Sequence, residues 1–477
     1  MPRTDIDSTQ PRVPARLRTY NFPWEILSSI FRFGQLNDSA AEQDSLRLGE
    51  DHVPRKDPGV LPFEVQVSHI SGQWRRVALG TPSLWTTICV EPVVSLSELE
   101  AYLQRSRPCP LDVSITCDGP PYDDEHTQEH KERFVLALAH INRWRRCWFH
   151  SSREDRNSPF ITLLIPARAP ALEYLSIEVQ SSNHNRPATH ESYSAPQIFS
   201  GGCPRLSLLH MHGLSLYFFR PPLRTVTTLY IHHTKNIRVQ YPEFHTMLNA
   251  CPALLYLSIC GDMMGDQIWL HANSIKLPNL RTLSISSFRA SNYSHILLTL
   301  DTPRLEKIIL KDAREHDLDP FLTSPHTSKF PLLHSLVFCD SDFTVLTYHT
   351  FFTSFPSVSE LTFIGNSYVP DILKSISDAA HFAPQLIGSY SLWPQLQVLN
   401  IDLGLSNDVG LLLKDALERR LRTGGRGPTK LRLGITVDED FREDDGTLDT
   451  ASDYGWLQEN ITIEVMEGSA LLRLCCE

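Results

Sequence analysis

The amino-acid sequence predicts an α/β fold: a small helical head followed by an open, curved, right-handed solenoid of parallel strands. Three observations carry this reading. A phrase recurs in which a Pro is followed by Leu two residues on, Leu or a similar residue three further, and Ile, Leu, Met or Phe two beyond; its prolines stand at 170, 204, 252, 278, 303, 331, 356 and 394. The phrase mixes a step of three, suited to a turn, with a step of two, which is strand alternation. Ahead of the repeats, apolar residues fall at helical spacing around Ile26 and again around Val67.

Residues 1–19 are polar and rich in Pro and Arg, and read as a disordered tail. The head spans 20–90. Pro23 stands at a helix start with Asn21 upstream, and Ile26, Leu27, Ile30 and Phe31 form an apolar stripe. Residues 35–60 are polar, charged and Pro-bearing, and read as an inserted loop. A second amphipathic stretch follows, with Val67, Ile70, Trp74 and Val77 on one face; Gly72 within it should weaken the helix by up to about 1 kcal/mol relative to Ala.

The solenoid is expected over 91–437. Leu99–Ser106 reads as a helix, and Leu111, Val113, Ile115 and Cys117 as the first strand of the stack. Phe134–Ile141 reads as a helix, and Trp144, Cys147, Trp148 and Phe149 as strand. In each phrase the Pro presets the turn and, lacking a donor, belongs just before the strand. A copy without Pro sits at Val226, Leu229 and Ile231. Ser291–Leu300 and Val369–Ala380 can make return helices, since parallel strands need a crossover. Leu431, Leu433, Ile435 and Val437 form a final alternating strand, Asp438–Asp445 is an acidic loop, and Ile461, Ile463 and Val465 offer an edge strand within a C-terminal cap or tail, 438–477.

These phrases resemble the irregular leucine-rich repeats of F-box proteins, and the head resembles an F-box. The family opens on Leu-Pro-x-Glu-Ile/Val-Leu, matched here by Phe22-Pro23-Trp24-Glu25-Ile26-Leu27. Val67–Leu79 is similar to the second half of the box, with Trp74-Arg75-Arg76 at the family's Trp-Arg. Thr81-Pro82-Ser83-Leu84-Trp85 is similar to the phrase that leads mushroom-type F-box proteins into their repeats. The departures are the 35–60 insertion and Ser71-Gly72-Gln73 where a Cys-Arg-x phrase is usual. The resemblance implies a non-catalytic specificity subunit of a cullin-RING ubiquitin ligase. The box would bind a Skp-type adaptor, and through it a cullin, by Phe22, Pro23, Glu25, Ile26, Leu27, Ile30, Val67, Trp74 and Val77; the repeats would hold a target protein. The two stretches of the box should pack as antiparallel-like helices with Trp74 against the first. The alternative is a repeat scaffold whose box has decayed.

A net charge of −11 and a pI near 6.0 give no electrostatic footprint for nucleic acid. Met1–Gln10 lack an apolar core and no run approaches 18 apolar residues, so the expectation is a cytoplasmic or nuclear chain that neither is secreted nor spans a membrane. The ten cysteines follow no repeated spacing and are expected to be reduced. No cofactor is expected. His126-Thr127-Gln128-Glu129-His130 satisfies H-x-x-E-H, yet lies in a charged run with little apolar face to anchor a zinc helix. His210 and His212 flank Met211 without a third ligand at a diagnostic spacing, so the chain reads as non-enzymatic.

Alternation assigns one outward residue per strand: Ser176, His210, Tyr230, Ser258, Ser284, Ile309, Val337, Thr362 and Asn400. Residues flanking the anchors, such as Glu173, Tyr174, Arg205, Tyr256, Arg281, Glu306, Lys307, His334 and Ser335, should also be more exposed. The outward row is the expected target surface, with Tyr230, Ile309, Val337 and Thr362 as contacts. Lacking clustered Arg, it suits neutral packing better than a phosphorylated segment.

Overall fold

The computed structural model describes residues 22–47, 61–117, 124–151, 159–179, 198–213, 220–232, 241–261, 273–287, 291–323, 329–341, 343, 345–365, 395–402, 418, 430–435 and 462–467. The sequence phrase shapes the start of each repeat. The carbonyl before the Pro accepts the N–H of the first anchor three residues on: Leu172 to Ala169 at 3.3 Å, Leu254 to Cys251 at 3.2 Å, Leu305 to Thr302 at 3.1 Å. Pro thus takes the second position of a β-turn, where its fixed φ fits and its missing donor costs nothing. The copy without Pro closes the same turn, Val226 to Leu223 at 3.2 Å.

From these turns run parallel strands. They are β1 (Thr87–Val90), β2 (Leu111–Thr116), β3 (Trp144–Ser151), β4 (Tyr174–Val179), β5 (Leu208–Gly213), β6 (Thr228–His232) and β7 (Tyr256–Cys260). After the short β8 (Ile275–Lys276) come β9 (Thr282–Ser286), the short β10 (Leu300–Asp301), β11 (Lys307–Lys311), β12 (Ser335–Cys339), β13 (Glu360–Ile364), β14 (Val398–Asp402), β15 (Lys430–Ile435) and β16 (Thr462–Glu467). All but β8 and β10 form one 14-stranded sheet in chain order; those two pair with each other. The register aligns the anchors, so Leu229, Leu257, Leu283, Ile308 and Leu336 stand in one buried row and Ile231, Ile259, Ile285, Leu310 and Phe338 in another. The fold is thus a leucine-rich-repeat solenoid, open and curved.

Strand ends repeat as well. Gly213, Gly261, Asp312, Asp340 and Gly365 all have positive φ, between 46° and 96°, at the same register position. Only Gly, or a residue such as Asp with a short polar side chain, takes that backbone cheaply. The turn redirects the chain toward the opposite side, where helices such as Tyr241–Asn249, Ser291–Thr299 and Val345–Ser354 cover the core.

The head consists of α1 (Trp24–Arg47), α2 (Phe63–Ile70) and α3 (Gly72–Leu79). Three expectations need correction here. Residues 35–47 are helical and continue α1, because Asp38–Arg47 offers Ala40, Ala41, Glu42 and Gln43 with no Pro or Gly to stop it. The second amphipathic stretch is two helices, broken at the extended Ser71, whose hydroxyl caps α3 by accepting from Trp74 N–H at 3.2 Å. Gly72 is therefore a first-turn residue, where the interior helix penalty does not apply.

The stack also begins one strand earlier than expected, at β1, which pairs with β2 in parallel. Head and repeats share one apolar core that runs from Leu27 to Ile401. Trp85 joins them: its indole donates to Ala78 O at 2.9 Å, and its ring meets Tyr102 edge-on at 5.0 Å. Tyr102 lies on α4 (Leu96–Arg105), capped by Ser95. At the far end β16 extends the sheet, so the strand expected at Ile461–Val465 is part of the stack. The tail 1–19, the helix expected at Val369–Ala380 and the acidic run Asp438–Asp445 lie outside the described residues.

Candidate protein-docking faces

The helix α1 carries two apolar stripes. At about 100° per residue, Ile26, Ile30 and Phe33 fall within an arc of about 60°, and Leu27 with Phe31 lies roughly 110° away. Leu27 and Phe31 are buried, and the Phe31 ring packs on Trp74 of α3 at 4.9 Å. Trp24 meets Gly80 and Phe31 meets Trp74, an opposed order along the two helices. The other stripe faces out: Ile26 is 48% exposed, Ile30 49%, Phe33 67% and Leu36 60%. Phe22, just ahead of the helix, is also exposed.

The nine residues assigned to adaptor binding therefore divide. Phe22, Pro23, Glu25, Ile26 and Ile30 are exposed. Leu27, Val67 and Val77 are buried in the head's own core and cannot touch a partner, a correction that follows from their facing inward between α1, α2 and α3. Trp74 is half-buried and serves mainly that core. Ile70, expected on the buried face, is 61% exposed, because the break at Ser71 separates it from the face that Trp74 and Val77 share. Phe33 and Leu36 join the stripe without having been expected there. The spacing 26, 30, 33 carries their signal, which a reading of residues from 35 onward as loop hides.

The second face is the side of the sheet opposite the core. Its first half is aromatic and polar. Trp148 lies 5.3 Å from Tyr174, and Tyr230 is half-exposed between His210 at 4.3 Å and Tyr256 at 5.2 Å. Beside them His150, Glu178, His212 and His232 occupy one register row on four adjacent strands. Glu178 lies 2.8 Å from His150 Nδ1 and 3.8 Å from His212 Nδ1. Burial, together with the neighbouring His232 and His212, pushes the His210 imidazole down to about 3, so it is neutral at ordinary pH.

The second half is closed. Ser284, Ile309, Val337, Thr362 and Asn400 are all buried, Ile309 and Asn400 completely, and Ser335 is buried as well. Asn400 donates to Thr362 Oγ1 at 2.8 Å and to Glu360 at 3.3 Å. The target contacts assigned to Ile309, Val337 and Thr362 are thus wrong: strand alternation gives the side of a residue, not whether that side is open. Ile309 and Val337 stand outside the continuous core although buried, as does Trp148. Of the flanking residues, Glu173, Arg205, Arg281 and His334 are exposed, and Tyr174, Tyr256, Glu306 and Lys307 half-exposed.

The H-x-x-E-H phrase lies on α5 (Asp124–Leu138), with the side chain of His126 outside the described residues. Glu129 pairs with Arg133 at 3.0 Å, while His130 turns inward against Phe160, ring centroids 4.8 Å apart. Burial pushes the His130 imidazole down to about 4. Among the described residues no three His, Cys, Asp or Glu side chains converge on one ion, the histidine row included. Seven described cysteines form no disulfide. Cys339 is disulfide-bonded, against the expectation of reduced cysteines throughout. No described helix is long and apolar enough to cross a membrane.

No family model and no curated protein matches the chain. Among solved structures it is similar to a chain of a TLR13–ssRNA13 complex, at a TM-score of 0.34 and 13% identity, over 80% of this chain and 54% of that one. The chain therefore spans about half the length of that neighbour, and so loose a likeness carries no argument about function.

Proposed function

We propose that this chain is the substrate-recognition subunit of a Skp-cullin-F-box type ubiquitin ligase, with the head docking an adaptor and the repeats holding a target. The observation that supports it is the exposed stripe Ile26, Ile30, Phe33 and Leu36 on a helix whose other apolar stripe is already buried. Exposed apolar residues at helical spacing gain from burial in a partner's groove. Leu27, Phe31, Trp74 and Val77 hold that helix in place and make the face rigid. The ligase chemistry would come from subunits downstream of the adaptor, and the chain's own part is to hold two proteins together.

A second reading is a repeat scaffold without a ligase role. It is favoured by the extension of α1 through 35–47 and the break at Ser71, both departures from a compact box. Co-purification separates the two: on the first reading full-length protein retains Skp-type adaptor and cullin together, and on the second it retains neither.

A further inference from the structure

The second half of the sheet face opposite the core is sealed by more than the sheet itself. Val337, Cys339 and Ile364 project on that face and are at most 5% exposed, yet none belongs to the continuous core. Neighbouring strands flank a side chain standing on a sheet but leave its tip open, as at the half-exposed Tyr230 and Tyr256 on the first half. Burial so complete calls for a cover lying across the strands.

The disulfide at Cys339 points to what that cover is. Of the chain's ten cysteines, seven form no disulfide and Cys339 forms one, which leaves Cys475 and Cys476 as its candidate partners. The distance fits. Phe338, Phe363, Ile401, Leu433 and Val465 make one register row on β12–β16, so Cys339 and Met466 are the next residues on strands four spacings apart, about 19 Å. Fully extended, the chain from Met466 to Cys475 spans about 30 Å. Its residues suit the task as well: Gly468-Ser469-Ala470 can turn out of β16, and Leu471, Leu472 and Leu474 bring apolar side chains.

We propose that the occupant of this face is the chain's own segment 468–477, which folds back across β15, β14 and β13, lays its leucines on Val337 and Ile364, and is pinned to Cys339 through Cys475 or Cys476. The far half of the face is then taken by the chain itself. A target protein is confined to the first half, around Tyr230 and Tyr256, whose rings lie 5.2 Å apart. The strap belongs to the far end of the solenoid and does not depend on the ligase reading of the head.

The bond is tested on full-length protein purified without reductant, denatured in excess iodoacetamide, digested without reduction and mapped by mass spectrometry. Expected is a linked pair of peptides, one holding Cys339 and the other Cys475 or Cys476. Alkylated Cys339, or its linkage to another cysteine, overturns the proposal. The packing is tested apart from the bond, by hydroxyl-radical footprinting of the full-length chain with Leu471→Asp, Leu472→Asp and Leu474→Asp. Val337 and Ile364 should be oxidised severalfold faster than in wild type, while Leu257, fully buried in the core, stays protected and reports that the fold is intact. Leu472→Asp alone gives the same readout with less burden on the fold. Unchanged labelling of Val337 and Ile364 overturns the proposal even where the disulfide forms. Adaptor binding is measured separately, so failure of the ligase reading would show there and not in the peptide map or the footprint.

Discussion

The Tyr102 hydroxyl donates to the Glu64 carboxylate at 2.6 Å across the junction of head and repeats, with both residues buried. Gln35 of α1 donates to the other carboxylate oxygen at 3.2 Å and to Leu84 O at 2.9 Å. One acidic side chain of α2 thus ties α1 and α4 together. Burial, and then the Glu64 carboxylate, push the Tyr102 phenol well above its ordinary range, so it stays a donor across the accessible pH scale. The exposed face of α1 is in this way held against the first repeat.

Tyr102→Phe should leave that carboxylate short of a donor and lower stability by about 1–3 kcal/mol. In a double-mutant cycle with Glu64→Gln the two changes should couple by more than about 0.5 kcal/mol. Denaturant melts of the four proteins provide the check, and simple additivity would mean the contact is not formed in solution.

Leu257, fully buried in the middle of an anchor row, should cost about 2–5 kcal/mol when replaced by Ala. A loss under about 1 kcal/mol in thermal or urea melts would place it outside the core.

Two glycines should behave oppositely. Gly365 has φ +65°, and a Cβ there would stand 2.0 Å from Asp340 Oδ1, so Gly365→Ala should destabilise by about 1 kcal/mol or more. Gly72 opens α3, and a Cβ there would meet no atom within 4 Å, so Gly72→Ala should be neutral or stabilising by up to about 1 kcal/mol. Comparing the two midpoints tests both the repeating left-handed turn and the break at Ser71 between α2 and α3.

His130 and His210 are held neutral by burial, at about 4 and about 3. Unfolded, they titrate near 6.5, so unfolding takes up protons below that pH. The stability they contribute is whole above about pH 6.5 and falls as the pH drops toward those folded values. Melting temperatures should therefore decline from pH 7 to pH 4.5, and His130→Gln should flatten that decline; an unchanged slope would assign the acid sensitivity to other groups.

Much of the solenoid is legible in the sequence because each anchor is a large apolar residue at a fixed step from a Pro, and turn, strand and register follow from those steps. Leu175, Leu257 and Leu336 are buried where the phrase places them. What the phrase does not carry is the environment of the outward row. Tyr230 and Ile309 hold the same strand position, yet one lies half-open among aromatics and the other is sealed. Nor can sequence bring His150, Glu178 and His212 together, since their proximity depends on strand register across separate repeats. On α1 the exposed stripe is readable as far as Ile30, and its continuation to Leu36 depends on how far the helix runs.

The most direct measurement is the affinity of full-length protein for a Skp-type adaptor, comparing wild type with the double variant Ile26→Asp and Ile30→Asp. These positions are half-exposed, so the substitutions should leave the fold intact, with stability changes near 0.5 kcal/mol. Leu27→Ala is unsuitable as the probe because that side chain is buried in the head. The expected result is specific binding by wild type and a loss of about 100-fold or more in the variant at an unchanged melting temperature. Equal binding by the two proteins, or none by folded wild type, would contradict the assignment of the α1 face to the adaptor.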